Sequence, residues 1–306
     1  MEEYIKSYEY ENNVNPPLKS IPIFEKNIID CDYGITFIDF SQLFNINYKS
    51  TTPNLLASFI KIDNNKNIQL NNNYDNDNIN NNFLNGTSHL FYILNGSCEI
   101  FIDNEKYTIC LGDILITPLF NELNIINTNT DELQIYYIND SPLVNYLGNK
   151  PMKKIFKTSI YSNEFLLKNL HHLSNPKNNR KGILLSNTDT EKIGINTITP
   201  ILWALYNELP PHTIQKPHKH NSVALDLCIS CNDSENIYTL IGDELDENGE
   251  IINPVKVYWK QGGMFITPPS LWHSHNNIGT SYAYILPIQD AGLLLYQRIL
   301  GIVIQH

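Results

Sequence analysis

The sequence predicts an all-β protein made of two tandem copies of one barrel-sized unit, with short helices at the periphery. The first observation behind this is an internal repeat. Gly112-Asp-Ile-Leu-Ile-Thr-Pro118 lies over Gly262-Gly-Met-Phe-Ile-Thr-Pro268 at an offset of 150 residues, and the same offset carries Asn127 to Asn277 and Asp140 to Asp290. A fixed period with shared turn residues marks duplicated units. The second is that the apolar runs are short, rich in Ile, Tyr and Phe, and bounded by Gly, Pro, Asn and Asp, as strands in barrels and sandwiches are. The chain of 306 residues, 42% of them hydrophobic, has room and material for two such units. We divide it at residues 1–150 and 151–306.

In order along the chain, residues 1–30 are expected to form a short helix and a Pro-containing arm. Residues 61–82 are an Asn-rich tract too polar to bury a core, expected to be a mobile loop. A buried strand follows from His89 to a turn at Gly96, then a hairpin about Asp103-Asn104, the repeated Gly112–Pro118 run and a strand from Leu133 to Asn139. Residues 163–172 have helical spacing of Phe165, Leu166 and Leu170, with His171 and His172 at the end favoured by the helix dipole. Residues 174–182 are expected to be a loop whose basic cluster is solvated, and the strand Ile201–Leu209 then leads to the histidines. Residues 243–249 are an acidic, Gly-ended hairpin loop.

Composition narrows the function. A net charge of −11 argues against binding to the phosphate backbone of nucleic acid, and no apolar run is long enough for a membrane span. The first residues carry no apolar segment of the secretory kind, and five cysteines without framework spacing fit a reducing compartment, so a cytoplasmic location is expected. Only two arginines exist, Arg180 and Arg298. That matters because arginine is the usual fork for a carboxylate. Cys228-Ile-Ser-Cys231 has CxxC spacing, but on a regular strand the two side chains point to opposite faces.

The chemistry lies between residues 212 and 277. Alternate side chains of a strand share a face, so His218 and His220 can converge on one ion. A third imidazole is expected from His273, because Gly262, Pro268 and Pro269 bound a second short strand and turn it just before that residue. Neutral imidazoles ligate Fe(II), Mn, Ni, Cu and Zn, and three of them leave coordination positions open.

His-x-His followed by Gly-x5-Pro-x4-His-x3-Asn resembles the two signature motifs of the cupin superfamily. Lys216-Pro-His218-Lys-His220-Asn-Ser222-Val-Ala224-Leu225 and Thr267-Pro-Pro-Ser-Leu-Trp272-His273-Ser-His275 resemble in particular the ring-cleaving dioxygenases of the gentisate, salicylate and 1-hydroxy-2-naphthoate group. The resemblance implies two tandem cupin barrels, double-stranded β-helix jelly rolls. It also implies a metal held by His218, His220 and His273, with Fe(II) expected and Mn, Ni or Zn as alternatives. The partners it implies are a small hydroxylated aromatic or other chelating substrate and dioxygen, and the chemistry is cleavage of a ring carbon–carbon bond. Ala224 replaces the glutamate of many other cupins. Asp226 stands where the ring-cleaving group carries an arginine, and the triad lies in the second barrel, where that group carries it in the first.

His275 and Asp226 are the candidate catalytic residues. Trp203, His212, Trp272 and Asn277 are the candidate lining of the substrate pocket. The first barrel is an internal control: at the offset of 150, Leu123 stands for His273, and only His89, at the position of the missing glutamate, remains of a ligand set. Its metal site is expected to be lost. The alternatives are a non-catalytic bicupin that binds a small ligand or metal, and an Mn-dependent hydrolase or isomerase. A homo-oligomer through barrel edges and residues 293–304 is a further expectation.

Overall fold

The computed structural model describes residues 4–71, 83–173 and 179–305. Two six-stranded antiparallel sheets form the centre of the molecule. In one the strand order is Ser159–Tyr161, Ile114–Thr117, His89–Asn95, Leu133–Asn139, Leu56–Ile62 and Gly34–Ile38. In the other it is Phe24–Asn27, Gly263–Thr267, Ala224–Cys231, Ala283–Gln289, Trp203–Leu209 and Lys181–Leu185. The two orders match strand for strand, which is the duplication read in three dimensions. A second sheet closes each barrel: Asn67–Asn71, Glu122–Asn127, Ser97–Ile102 and Glu105–Cys110 in the first, and Val255–Tyr258, Ile237–Gly242, Trp272–Asn277, His218–His220 and Ile302–Ile304 in the second.

The halves exchange an edge. Phe24–Asn27, early in the chain, pairs with Gly263–Thr267 of the later barrel, while Ser159–Tyr161 pairs with Ile114–Thr117 of the earlier one. Each unit thus covers the sheet edge that the other would leave open. The central sheets pack back to back over a shared core that includes Phe59, Leu90, Ile116, Tyr136 and Ile138 from one side and Ala204, Leu225, Ile266, Leu286 and Ile288 from the other.

The turn chemistry is duplicated as well. Asn127 donates from Nδ2 to the carbonyls of Ile62 and Asp131, and Asn277 donates to those of Leu209 and Ser281. The repeated asparagine therefore closes a loop in each barrel. Asp103, in the left-handed region at φ 53°, makes the expected hairpin turn, and its carboxylate accepts from the amides of Asn121 and Glu122.

Several expectations change. The beginning of the Asn-rich tract is ordered: Asn67–Asn71 pairs with Glu122–Asn127 and turns Ile68 and Leu70 toward the barrel. Residues 72–82 lie outside the described residues, as do 174–178 of the basic loop. Cys228 and Cys231 share one core because a bulge between Cys228 and Ser230 shifts the alternation by one residue. Part of the segment expected at an oligomer contact is engaged within the chain, since Ile302–Ile304 pairs with His218–His220.

Tyr136 lies in the shared core with its hydroxyl buried and without a partner among the described residues. An unsatisfied buried hydroxyl costs about 1–3 kcal/mol. Tyr136→Phe is therefore expected to raise stability by roughly 1 kcal/mol in urea titration. A loss of stability would show that the hydroxyl has a role in the fold.

Candidate metal centre

The His218–His220 strand is three residues long and pairs antiparallel with Trp272–Asn277, with His218 directly opposite His273. The turn before His273 is fixed by Ser270, at φ 69°, whose amide donates to the carbonyl of His220 at 2.7 Å. These two ties bring the three side chains together. The ring centroids of His218 and His273 are 4.0 Å apart, and those of His220 and His273 are 4.8 Å apart. One nitrogen from each of the three lies within 4.8 Å of the other two. A triangle of that size needs an inward shift of only about 0.7 Å per nitrogen to reach metal–imidazole distances of about 2.1 Å. The residues present fit a divalent metal.

The hydrogen bonds bear on which nitrogen of each ring could face an ion. Nδ1 of His218 contacts the carbonyl of His273 at 3.1 Å, Nδ1 of His220 that of Ser222 at 2.9 Å, and Nδ1 of His273 that of Leu271 at 3.1 Å. A carbonyl can only accept, so His220 and His273 carry their hydrogen on Nδ1 and keep a bare Nε2 for a metal; Nδ1 of His218 faces the His273 carbonyl and Nη1 of Arg180 at the same 3.1 Å, and its Nε2 is bare when the hydrogen sits on the carbonyl side. Burial pushes all three imidazoles below their ordinary pKa, and for His218 and His273 neighbouring imidazoles add to this. They are held neutral, the form that binds metals.

His275 differs. Its Nδ1 lies 2.8 Å from the hydroxyl of Thr239, which itself accepts from the indole N–H of Trp259 at 2.8 Å. That hydroxyl has its own proton to give to Nδ1, which leaves His275 with its hydrogen on Nε2. Burial holds its pKa down to about 3, so it is a neutral donor beside the triad rather than a fourth bare nitrogen.

The three histidines and His275 line a cavity of about 260 Å³. Trp203, Leu205, Pro287, Ile302 and Ile304 supply its apolar walls, and Asn207, Gln215, Asp226 and Gln289 supply polar ones. The last two apolar residues belong to the C-terminal strand paired with the His218–His220 strand, so the end of the described chain is part of the site. Among the described residues, rings pack the corresponding interior of the first barrel. Phe91 stacks on Tyr137 with centroids 4.5 Å apart, and His89 packs on Phe120 at 4.6 Å. Asp226, Pro287, Ala224 and Ser270 take the corresponding places in the second barrel.

Of the residues expected at the pocket, Trp203 lines it and the others do not. His212 is exposed on the turn at φ 54°, with its amide donating to Gly279. Trp272 points away from the cavity face and carries Lys219 over its ring at 4.6 Å. Asn277 is occupied by the loop it closes.

Arg180 was the residue missed. Instead of being solvated it is largely buried in the cavity wall, where Nη2 donates to the carbonyl of Lys216 at 2.6 Å and Nη1 lies 3.4 Å from Oε1 of Gln215 and 3.1 Å from Nδ1 of His218. Its Nε is buried without a partner, and burial lowers its pKa to about 10, still well above neutral pH. Nη1 thus sits between Gln215 and His218 at the edge of the triad, bringing a positive charge to the cavity wall. The scarcity of arginine was the one signal in the sequence that could have found it.

No protein-family model matches the chain, and no curated protein matches it. Solved structures do. The architecture is that of a bicupin, with two jelly-roll barrels in tandem. The particular bicupins it resembles include salicylate 1,2-dioxygenase from Pseudoaminobacter salicylatoxidans. One variant of that enzyme superposes with a TM-score of 0.70 at 11% identity over 99% of this chain and 95% of that one, and its complex with gentisate gives 0.69 at 11% over 96% and 88%. A cupin 2 conserved barrel domain protein from Leptotrichia buccalis gives 0.51 at 16% identity over 90% of this chain and 100% of that one. At these identities the likeness is one of fold.

Asp226 gives the site a pH signature. Burial raises its carboxyl to about 7 in the metal-free protein, from an ordinary 3.8, although the Thr267 hydroxyl lowers it in part. A folded-state pKa above the unfolded one stabilises at low pH, fully below about 4, and that stabilisation of roughly 4 kcal/mol is lost as pH rises through 7. Metal-free Asp226→Asn is therefore expected to gain stability over the wild type steadily between about pH 4 and 7. Parallel stability curves in urea titrations across that range would contradict it.

Proposed function

We propose that this chain is a metal-dependent, dioxygenase-like bicupin acting on a small hydroxylated aromatic, or otherwise chelating, acid. The observation that carries the reading is the set of three imidazoles, each offering a nitrogen within 4.8 Å of the other two and each with Nδ1 beside a main-chain carbonyl, in the wall of a cavity that Arg180 also lines. His218, His220 and His273 hold the metal, Fe(II) by preference. When bound, it supplies open coordination positions at which a chelating substrate and dioxygen can meet.

The chain's own residues then do the positioning. Arg180, the one arginine among the described residues that lines the cavity, takes the substrate carboxylate. Trp203, Leu205, Ile302 and Ile304 hold a ring and exclude water, which strengthens every polar contact inside. His275 offers its Nε2 hydrogen to negative charge that develops on the substrate or on oxygen. The salicylate dioxygenases of the same fold support this choice of substrate class, and the intact triad favours it over a purely structural bicupin.

Two outcomes follow. Protein reconstituted anaerobically with Fe(II) is expected to hold one equivalent per chain by elemental analysis and to take up oxygen with at least one member of a hydroxybenzoate and catechol panel. His273→Ala is expected to lose both, and retention of stoichiometric iron in that variant would remove the triad as the site. Arg180→Gln should weaken binding of 2-hydroxybenzoate by roughly tenfold or more while leaving iron content unchanged. Unchanged affinity would take the carboxylate away from Arg180.

A further inference from the structure

Asp226 is a buried acid that neither the fold nor the triad requires. Its neighbour two residues back on the same strand, Ala224, lines the cavity with it, as the two-residue period of a strand demands. It is 2% exposed, and its sole hydrogen bond among the described residues is at Oδ2, which accepts from the Thr267 hydroxyl at 2.7 Å. No lysine or arginine forms an ion pair with it among the described residues. Oδ1 therefore has no protein donor, although it borders a cavity meant for a ligand.

The duplication shows what this strand carries when there is no ligand. His89 and Phe91 pair across Thr117 and Leu115 in the first barrel as Ala224 and Asp226 pair across Thr267 and Phe265 in the second. The place of Asp226 is thus taken by Phe91, whose ring stacks on Tyr137, and the place of Tyr137 is taken by Pro287. Two stacked rings in one barrel have become a carboxyl facing open space in the other. A buried carboxyl with one hydrogen bond is less favourable than an apolar side chain of similar size. The position is compatible with an apolar residue, so the acid points to a ligand.

We propose that Asp226, steadied by Thr267, is the specificity-determining group of the cavity: it accepts a hydrogen bond from a ring hydroxyl or amino substituent, so the preferred ligand is a chelating aromatic acid that carries such a donor. This rests on the chelating, carboxylate-bearing substrate proposed above and adds the second polar anchor. Arg180 takes the acid group and Asp226 takes the donor. Once ionised, above its raised pKa of about 7, Asp226 only accepts, so a ligand that places a carboxylate or an ether oxygen against it meets an acceptor facing an acceptor, and one that places nothing there leaves the carboxylate unpaired. A site built to pair with a polar substituent rejects analogues lacking it far more strongly than an apolar pocket rejects a missing methylene.

The test is anaerobic titration calorimetry on the full chain at about pH 8.5, where Asp226 is ionised, with and without Fe(II), using the 3-, 4- and 5-hydroxy derivatives of 2-hydroxybenzoate and their methoxy counterparts. At least one hydroxy probe is expected to bind roughly tenfold or more tightly than its methoxy partner. That ratio should fall to about two or less in Asp226→Leu and survive in part in Asp226→Asn, whose amide oxygen still accepts. Equal affinities within every pair for the wild type, or a preference that persists in Asp226→Leu, would overturn the assignment. Binding that needs iron but shows no preference rejects Asp226 and leaves the proposed function standing. A preference that follows residue 226 without any dependence on iron does the reverse. Failure of every probe to bind in either state rejects the ligand class itself.

Discussion

Three hydrogen bonds from imidazole Nδ1 atoms to main-chain carbonyls hold the centre of this molecule together chemically. Those at His220 and His273 fix a tautomer, and at His218, where Nδ1 also faces Arg180, a bare Nε2 requires the hydrogen to sit on the carbonyl side. The carbonyls belong to Leu271, His273 and Ser222, residues of the same two strands and turns that carry the histidines. The convergence of the three histidines therefore depends on the register between His218–His220 and Trp272–Asn277. The C-terminal strand at the outer edge of His218–His220 and the Ser270 amide on the His220 carbonyl clamp that register from two sides. Distortion at either place would move the nitrogens without touching a ligand residue.

The duplicated barrel separates what the fold needs from what the site needs. Both barrels keep the repeated glycine turn, the loop-closing asparagine and the buried aspartate at the end of the last central strand, where Asp140 accepts from Thr87 and Ser88 and Asp290 accepts from Asn54 and Val223. They differ inside. Rings fill the first barrel, and small or polar residues open the second. Apolar packing continues through the first barrel and the shared core between the central sheets, while the second barrel carries a cavity lined by four histidines and a buried carboxyl. The exchanged edge strands tie the two halves together.

Much of this was legible in the residues. The offset of 150 gave the two units because turn residues at fixed places are demanded by backbone geometry, and the triad followed from strand periodicity and the Pro-bounded turn. What could not be read depended on distant parts of the chain meeting. Arg180 lies in a polar loop with nothing local to bury it, and reaches the cavity only because Lys181–Leu185 lies at the sheet edge beside Trp203–Leu209. The strand Phe24–Asn27 finds its partner more than two hundred residues away. Asn277 has the motif position of a site residue, but its amide is used by a loop, and the same loop in the first barrel shows why. The bulge that brings Cys228 and Cys231 together breaks the period on which the contrary expectation stood.

The account stands on the tautomers. Long-range proton–nitrogen correlation spectra of the metal-free, nitrogen-15-labelled protein at neutral pH report directly which ring nitrogen of each histidine carries hydrogen. The expected result is Nδ1–H for His220 and His273 and Nε2–H for His275, with a zinc-induced shift at Nε2 of His218, His220 and His273. Hydrogen on Nε2 of metal-free His220 or His273, or zinc coordination at Nδ1 of any of the three, would contradict it.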